Sequence, residues 1–276
     1  MSYVRMIGIT KRFPGVLALD NVDLELYKGE IHGLLGENGA GKTTLMNILF
    51  GIHQPDSGEI FINGEPVSIH SPADAIRLGI GMVHQHFRLV PPFTVAENIA
   101  LGLKGGPFVD IKSVEKRVAQ LADEYGLSIN PALRIQDLSV GEQQRVEILS
   151  SLYRGAEVLI LDEPTAVLTP QEAETLALGL RRMAEQGKVV VFISHKLDEV
   201  LKLTDRVTVL RLGKVVFRSL TRDTNKSELA REMIGHEFVS LQAKHRAHVL
   251  TLAGAEEAKL IEKQSKEKEG KVLLEV

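Results

Sequence analysis

The chain has 276 residues, 44% of them apolar, 25% charged and 5% aromatic, enough to bury roughly three quarters of its unfolded surface in one large domain or a domain with an appendage. Thirty-three Lys and Arg against 36 Asp and Glu give a net charge of −3, too balanced for a protein that coats nucleic acid. With no cysteine in the chain, disulfides, thiolate metal sites and a cysteine nucleophile are all excluded.

Met1 to Phe13 lacks the continuous apolar run of a signal peptide. No stretch approaches the roughly 20 apolar residues of a spanning helix. A cytosolic chain is therefore expected, reaching a membrane only through a partner. Ile31-His32-Gly33-Leu34-Leu35 reads as a short apolar strand ending in a glycine loop, and Lys42 to Phe50 as a helix closed by Gly51. Glu59 to Ile62 then meets Asn63-Gly64, the strongest short-range hairpin signal. From about Pro91 to Leu138 the pattern changes: Lys112 to Tyr125 sets Val114, Val118 and Leu121 on one helical stripe with charges elsewhere. A mostly helical insert on the core is expected there. Ser139, with Glu142 three residues later, reads as the capping box of a helix running to Tyr153.

Val158 to Leu161 and Val189 to Ile193 are unbroken apolar runs, as strands covered on both faces of a parallel sheet require. Pro170 to Gln186 between them has a helix-forming composition with proline in the first turn. This strand–helix–strand alternation predicts an α/β core. Arg206 to Leu210 and Lys214 to Phe217 flank Gly213 as a closing hairpin. Glu256 to Glu269 is almost entirely Glu, Lys, Ala, Gln and Ser, a solvated helix or a linker rather than core. Val272 to Val276 is strand-like, with the character of Val4 to Ile9. It is either a last strand of this domain or the beginning of a second copy of it.

Gly36-Glu37-Asn38-Gly39-Ala40-Gly41-Lys42-Thr43 fits the phosphate-binding pattern G-x-x-x-x-G-K-[ST], with a strand before it and a helix after. Glycines let the backbone curl so that successive N–H groups face an anion, and the following helix adds its positive end. Lys42 would reach the β- and γ-phosphates, and the Thr43 hydroxyl would ligate Mg²⁺. Asp162 and Glu163 follow an apolar strand, and ligand sites in open α/β sheets lie outside the carboxyl ends of strands. Asp162 there can hold the metal, directly or through water, while Glu163 can orient or deprotonate a water. His195, just past another strand end, is by its position alone more often an ordinary loop residue. Gln85 and Phe13 carry less weight still when taken singly.

Together these segments resemble the ATP-binding-cassette (ABC) ATPases, over residues from about 3 to 235 and in that family's order. Leu138 to Gln143 is similar to the family's Leu-Ser-Gly-Gly-Gln signature. The resemblance implies a P-loop α/β core with a mostly parallel sheet, an antiparallel β subdomain and a helical signature subdomain. The nucleotide-binding domain would span 1–240, with its helical part at about 91–155. A charged linker over 241–270 and a possible start of a second cassette at 271–276 would follow. The family's ligands are ATP and Mg²⁺. Phe13 would stack on adenine, while Gly36, Glu37, Asn38, Gly39, Ala40, Gly41, Lys42, Thr43 and Thr44 bind ATP. Thr43, Gln85 and Asp162 would hold the metal. Glu163, His195 and Lys42 would be catalytic, and Ser139, Val140, Gly141 and Glu142 would contact the ATP of a partner cassette.

Two departures stand out. Thr169, at the end of Ala166-Val167-Leu168-Thr169, replaces the aspartate that the family often carries in its D-loop. Val140 and Glu142 stand where Gly and Gln are commonest in the signature. Both variants, with Val83 to Phe87 and Ile193 to Val200, are similar to the branch that imports simple sugars and nucleosides. Members of that branch usually carry two cassettes in one polypeptide, which favours the duplicated reading of the tail. The resemblance implies as partners integral-membrane permease subunits, a second cassette and, indirectly, an extracytoplasmic solute-binding protein. It implies no nucleic acid and a place on the cytoplasmic face of the cell membrane. Phe87, Leu89, Val90 and Phe93 beside Pro91-Pro92 would form a docking groove or pack within the insert. The alternative is a soluble ABC ATPase acting on ribosomes or nucleic acid, but neither a long coiled coil nor a basic extension is visible. A small-molecule P-loop kinase would leave Ser139 to Gln143 and His195 unexplained.

Overall fold

The computed structural model describes residues 2–84, 88–103 and 109–235. Gln85, and the expected linker and second-copy strand at 241–270 and 271–276, lie outside them. The chain divides into two units, Met1–Met233 and Ile234–Val276, and the sheets, core and cleft described here all belong to the first. Among the described residues no helix is long and apolar enough to cross a membrane.

The chain opens with two long strands, β1 (Val4–Phe13) and β2 (Val16–Leu26), then the short β3 (Ile31–Leu35) and the helix α1 (Lys42–Leu49). β4 (Ser57–Ile62) and β5 (Glu65–Val67) follow, joined through Asn63 at φ 52 and Gly64 at φ 84. Those two left-handed residues match the twist of the hairpin. Next come α2 (Pro72–Arg77), β6 (Ile80–Val83), α3 (Val95–Ala100), α4 (Ile111–Tyr125) and α5 (Val140–Tyr153). The remainder alternates: β7 (Val158–Asp162), α6 (Pro170–Glu185), β8 (Val189–Ser194), α7 (Leu197–Leu203), β9 (Arg206–Arg211), β10 (Lys214–Leu220) and α8 (Lys226–Ile234).

Two sheets result. The first is antiparallel, in the order β2-β1-β4-β5; the second runs β10-β9-β3-β8-β7-β6, parallel throughout except for β10 at its edge. The apolar runs of β7 and β8 occupy interior positions, buried on both faces. Their two-residue period divides them between two cores. Leu159, Leu161, Val190 and Phe192 pack with the helices α3 to α6. Val158, Ile160, Val189, Val191 and Ile193 pack with α1 and the antiparallel sheet. The stripe expected on α4 is buried in the helical layer, where Val114, Val118 and Leu121 are all within the first core.

Candidate functional site

The strand order places β8 between β3 and β7, with Leu35 opposite Ser194 and Asp162 opposite Ile193. All three strands are parallel, so the segments that follow them emerge at one edge. The residues 36–41 leave β3 there, Asp162 and Glu163 end β7, and His195 follows β8.

The loop after β3 enters α1 through Gly41, whose φ of 107 is left-handed, and no side chain caps the helix. Its first N–H groups are therefore open to an outside acceptor. Lys42 is 6% exposed, and its Nζ donates to the carbonyls of Gly36 at 2.8 Å and Glu37 at 3.0 Å. Burial draws its pKa down, an effect opposed by the neighbouring Glu163 and Asp162 carboxylates. Beside this loop is a cleft of about 710 Å³. Asn38 to Thr44 form one side of it and Asp162 and Glu163 its acidic side. Phe13 lines it too, with its ring edge-on to His53 at 5.3 Å between centroids. Gly36 and Glu37 do not line the cleft; they act on it through the carbonyls that hold Lys42.

Thr43 Oγ1 donates to Asp162 Oδ2 at 3.2 Å, across the gap between α1 and the end of β7. Burial raises the Asp162 pKa above the ordinary carboxylate value, and the Thr43 hydrogen bond opposes the rise. A hydroxyl and a buried carboxylate are hard oxygen donors of the kind Mg²⁺ takes, and a dication would reverse the desolvation cost on Asp162. These two residues fit such an ion. The third expected ligand, Gln85, lies outside the described residues.

Glu163 holds a left-handed backbone conformation, φ 50, uncommon for a residue with a side chain. Its N–H donates to the Ile193 carbonyl at 3.0 Å, which fixes the turn out of β7. The side chain then meets His195, with Oε1 2.9 Å from Nδ1. With the carboxylate ionised, Nδ1–H is the donor and Nε2 is left for another partner. Loop strain of this kind is commonest at functional positions.

Ser139 caps α5, accepting the Glu142 N–H, while the Glu142 side chain accepts the Ser139 N–H. Ser139, Val140, Gly141 and Glu142 do not line the cleft. The partner of Ser139 Oγ is instead Glu172 Oε1, at 3.2 Å.

Several cleft residues were not singled out from the sequence. Val16, Leu17 and Ala18 line it, as do Leu212 and Gly213 from the β9–β10 turn. The Gly213 N–H donates to the Ala40 carbonyl at 3.0 Å and its carbonyl accepts the Asp20 N–H at 2.9 Å. The turn thus fastens the phosphate-type loop to the antiparallel sheet. The hairpin itself was legible around Gly213, but nothing in its composition marks the loop it touches. Glu199 does not line the cleft but braces its surroundings: Thr165, Ser194 and Lys196 all hydrogen-bond to its carboxylate, tying the segment after β7 to the segment after β8.

Comparison with known proteins bears on this arrangement. The family described as ABC transporter matches residues 19–166. The chain is 50% identical over 248 residues to the Nucleoside import ATP-binding protein NupA of Lactococcus lactis subsp. cremoris, covering 89% of this chain and 49% of that protein. It is 54% identical over 250 residues to the Guanosine import ATP-binding protein NupO of Bacillus subtilis, covering 90% and 49%. The chain thus spans about half the length of the curated relatives it matches. Among solved structures, the ADP conformation of the ATP-binding cassette MJ1267 aligns with a TM-score of 0.75 at 24% identity, over 88% of this chain and 99% of that one, and shows the fold. The dimeric structure of MJ0796, a bacterial ABC transporter cassette, aligns at 0.69 and 27% identity, over 79% and 99%. A family match over residues 19–166 and identities of 50% and 54% over 89% and 90% of its length show that the chain belongs to the ABC transporter family.

Proposed function

We propose that the chain is the ATP-hydrolysing, nucleotide-binding part of an importer for simple sugars or nucleosides. It works at the cytoplasmic face of the cell membrane against integral-membrane permease subunits, and indirectly with an extracytoplasmic solute-binding protein. The observation that carries the reading is the 2.9 Å contact between Glu163 and His195, set beside a cleft that Lys42, Thr43 and Asp162 also line or enter.

Lys42 exchanges its two loop carbonyls for phosphate oxygens, and the uncapped N–H groups at the start of α1 hold the same oxygens. Phe13 stacks on the adenine. Thr43 and Asp162, with Gln85, would hold Mg²⁺, which when bound neutralises charge on the phosphates. Glu163 orients or deprotonates the attacking water, and His195, positioned by Glu163, presents Nε2 toward the γ-phosphate. Ser139 to Glu142 lie away from this chain's own cleft, which supports a head-to-tail pair in which they serve the nucleotide of a second cassette. The segment 241–270 is then a linker and 271–276 the first strand of such a cassette in the same polypeptide. The substrate class follows the relatives, whose names give nucleoside, guanosine and ribose import.

The test is capture of the tagged chain from native membranes, followed by uptake of labelled guanosine and ribose into vesicles carrying the recovered complex. ATP-dependent uptake of either, together with a co-purified integral-membrane permease, is the expected outcome. Recovery with ribosomes or nucleic acid and no permease would overturn the transport reading.

A further inference from the structure

Ser139 is exposed at the N-terminus of α5, yet both halves of its hydroxyl are engaged within the chain. Its Oγ accepts the Glu142 N–H at 3.2 Å and donates to Glu172 Oε1 at 3.2 Å. A serine hydroxyl has one proton, so while Glu172 accepts it no other anion can. The carboxylate also lies hard against the start of α5: a Cβ built on Gly141 would overlap Glu172 Oε1. That is the positive end of a helix whose first N–H groups favour an anion.

The other oxygen, Glu172 Oε2, accepts the Thr169 N–H and the Thr169 hydroxyl, each at 3.0 Å. The Thr169 donors first, then Ser139 and the charge of Arg145, hold this carboxyl below the usual carboxylate range. Glu172 is therefore an anion at neutral pH. Thr169 lies on the segment that leaves Asp162 and Glu163, so one carboxylate joins the serine helix to the chain descending from the catalytic strand.

We propose that Glu172 is a positioning residue, an internal stand-in for phosphate that occupies Ser139 in the resting chain and must release it before the nucleotide of a second cassette can dock there. This rests on the head-to-tail pairing proposed above. No covalent bond changes; the Ser139 hydroxyl exchanges one acceptor, a carboxylate oxygen, for another on the γ-phosphate.

The test uses the 276-residue chain carrying Glu163→Gln, so that bound ATP persists, and follows association by light scattering across an ATP titration. Glu172→Gln is added to it. The amide oxygen can still accept from Thr169, while the charge is gone and the Ser139 proton is released. Half-maximal association is expected at an ATP concentration about five- to tenfold lower than with Glu163→Gln alone, with ATP binding to the single chain unchanged. In a chain that keeps Glu163, Glu172→Gln lowers KM for ATP by a similar factor and leaves kcat within about twofold, a split that loss of a helix cap does not produce. Should that variant fail to fold, Glu172→Asp keeps a charged acceptor for Thr169 but is one methylene too short to hold Ser139 as well, and the same shift is expected. If both chains associate at the same ATP concentration, the latch is overturned and head-to-tail pairing stands. If both bind ATP and neither associates, both fall.

Discussion

Glu163 and His195 are 32 positions apart in the chain, and their side chains meet at 2.9 Å because β7 and β8 are parallel neighbours with Asp162 opposite Ile193. The contact is built by the sheet, and the left-handed turn at Glu163, held by the Ile193 carbonyl, aims it. Holding a non-glycine residue in that region costs about 1–2 kcal/mol. The folded sheet must therefore impose it, and what the strain secures is the direction of one carboxylate.

In the proposed mechanism the two side chains act as a pair, so their losses are expected not to add. Glu163→Gln leaves ATP binding intact and lowers turnover by roughly 10²–10⁴-fold. His195→Ala lowers turnover in the same direction. The double variant loses little beyond the worse of the two. Steady-state ATP hydrolysis of the three variants, with nucleotide binding measured separately, checks this. Fully multiplicative losses would show that His195 works independently of Glu163.

Lys42 gives a different signature. Its ammonium is buried and held by two carbonyls, which it would exchange for phosphate oxygens in the proposed function. Removing a charge-assisted donor of this kind weakens ligand affinity by about 10- to 100-fold. Lys42→Ala is therefore expected to lose that much affinity for ATP while its stability without nucleotide stays within about 1 kcal/mol of the parent. Calorimetric ATP titration together with thermal unfolding, with and without ATP, reads both quantities. An unchanged titration would remove Lys42 from the site.

What could be read from the sequence divides along the range of the interactions. Ser139 with Glu142, the Asn63-Gly64 turn and the apolar runs of β7 and β8 are local, and each announces itself within a few residues. The bond from Ser139 to Glu172 spans 33 positions and that from Thr43 to Asp162 spans 119. No periodicity encodes such pairs; the tertiary fold creates them, the packing of α5 and α6 in the first case and the strand order in the second. The six-residue α2 escaped notice, and α3 was covered only by the expectation of a mostly helical insert, for another reason: fewer than two turns cannot establish a 3.6-residue pattern. Their caps, Ser71 and Thr94, were the signals present. β2 escaped because the adjacent Asp20 and Asn21, the latter at φ 52, break its alternation and leave only the short run Val22 to Leu26 in strict register, although Leu19, Val22, Leu24 and Leu26 are buried.

Gly36 tests how tightly the loop is built into the sheet. A Cβ there would collide with the Leu210 carbonyl oxygen and lie 2.9 Å from Ala40 Cβ. Both are backbone or first side-chain atoms that cannot swing aside. Overpacking of this kind costs typically about 1–3 kcal/mol, so Gly36→Ala should lower the urea midpoint accordingly and weaken ATP binding with it. Normal stability and affinity in that variant would show that β9 yields more readily than its central place beside β3 suggests.

His32 makes the fold itself sensitive to acid. It is wholly buried on β3, with Nε2 2.9 Å from Thr208 Oγ1 and no hydrogen-bond partner at Nδ1 among the described residues. Burial first, then the charges of Arg206 and Arg218, lower its pKa from 6.5 to about 3. In the unfolded chain the ring takes a proton as pH falls below 6.5, whereas the folded chain refuses it until about pH 3. The contribution of neutral His32 is therefore fully present above 6.5 and is lost progressively as pH falls toward the folded value. The loss is about 1.4 kcal/mol per pH unit, or roughly 2 kcal/mol near pH 5. Urea unfolding of the parent and of His32→Val at about pH 7 and about pH 5 isolates this term. The variant loses some stability at the higher pH from the smaller side chain, but its further loss on acidification should be smaller than the parent's by about that 2 kcal/mol. Equal losses on acidification in the two chains would mean that the buried ring accepts its proton as readily folded as unfolded, and the acid sensitivity would then lie elsewhere.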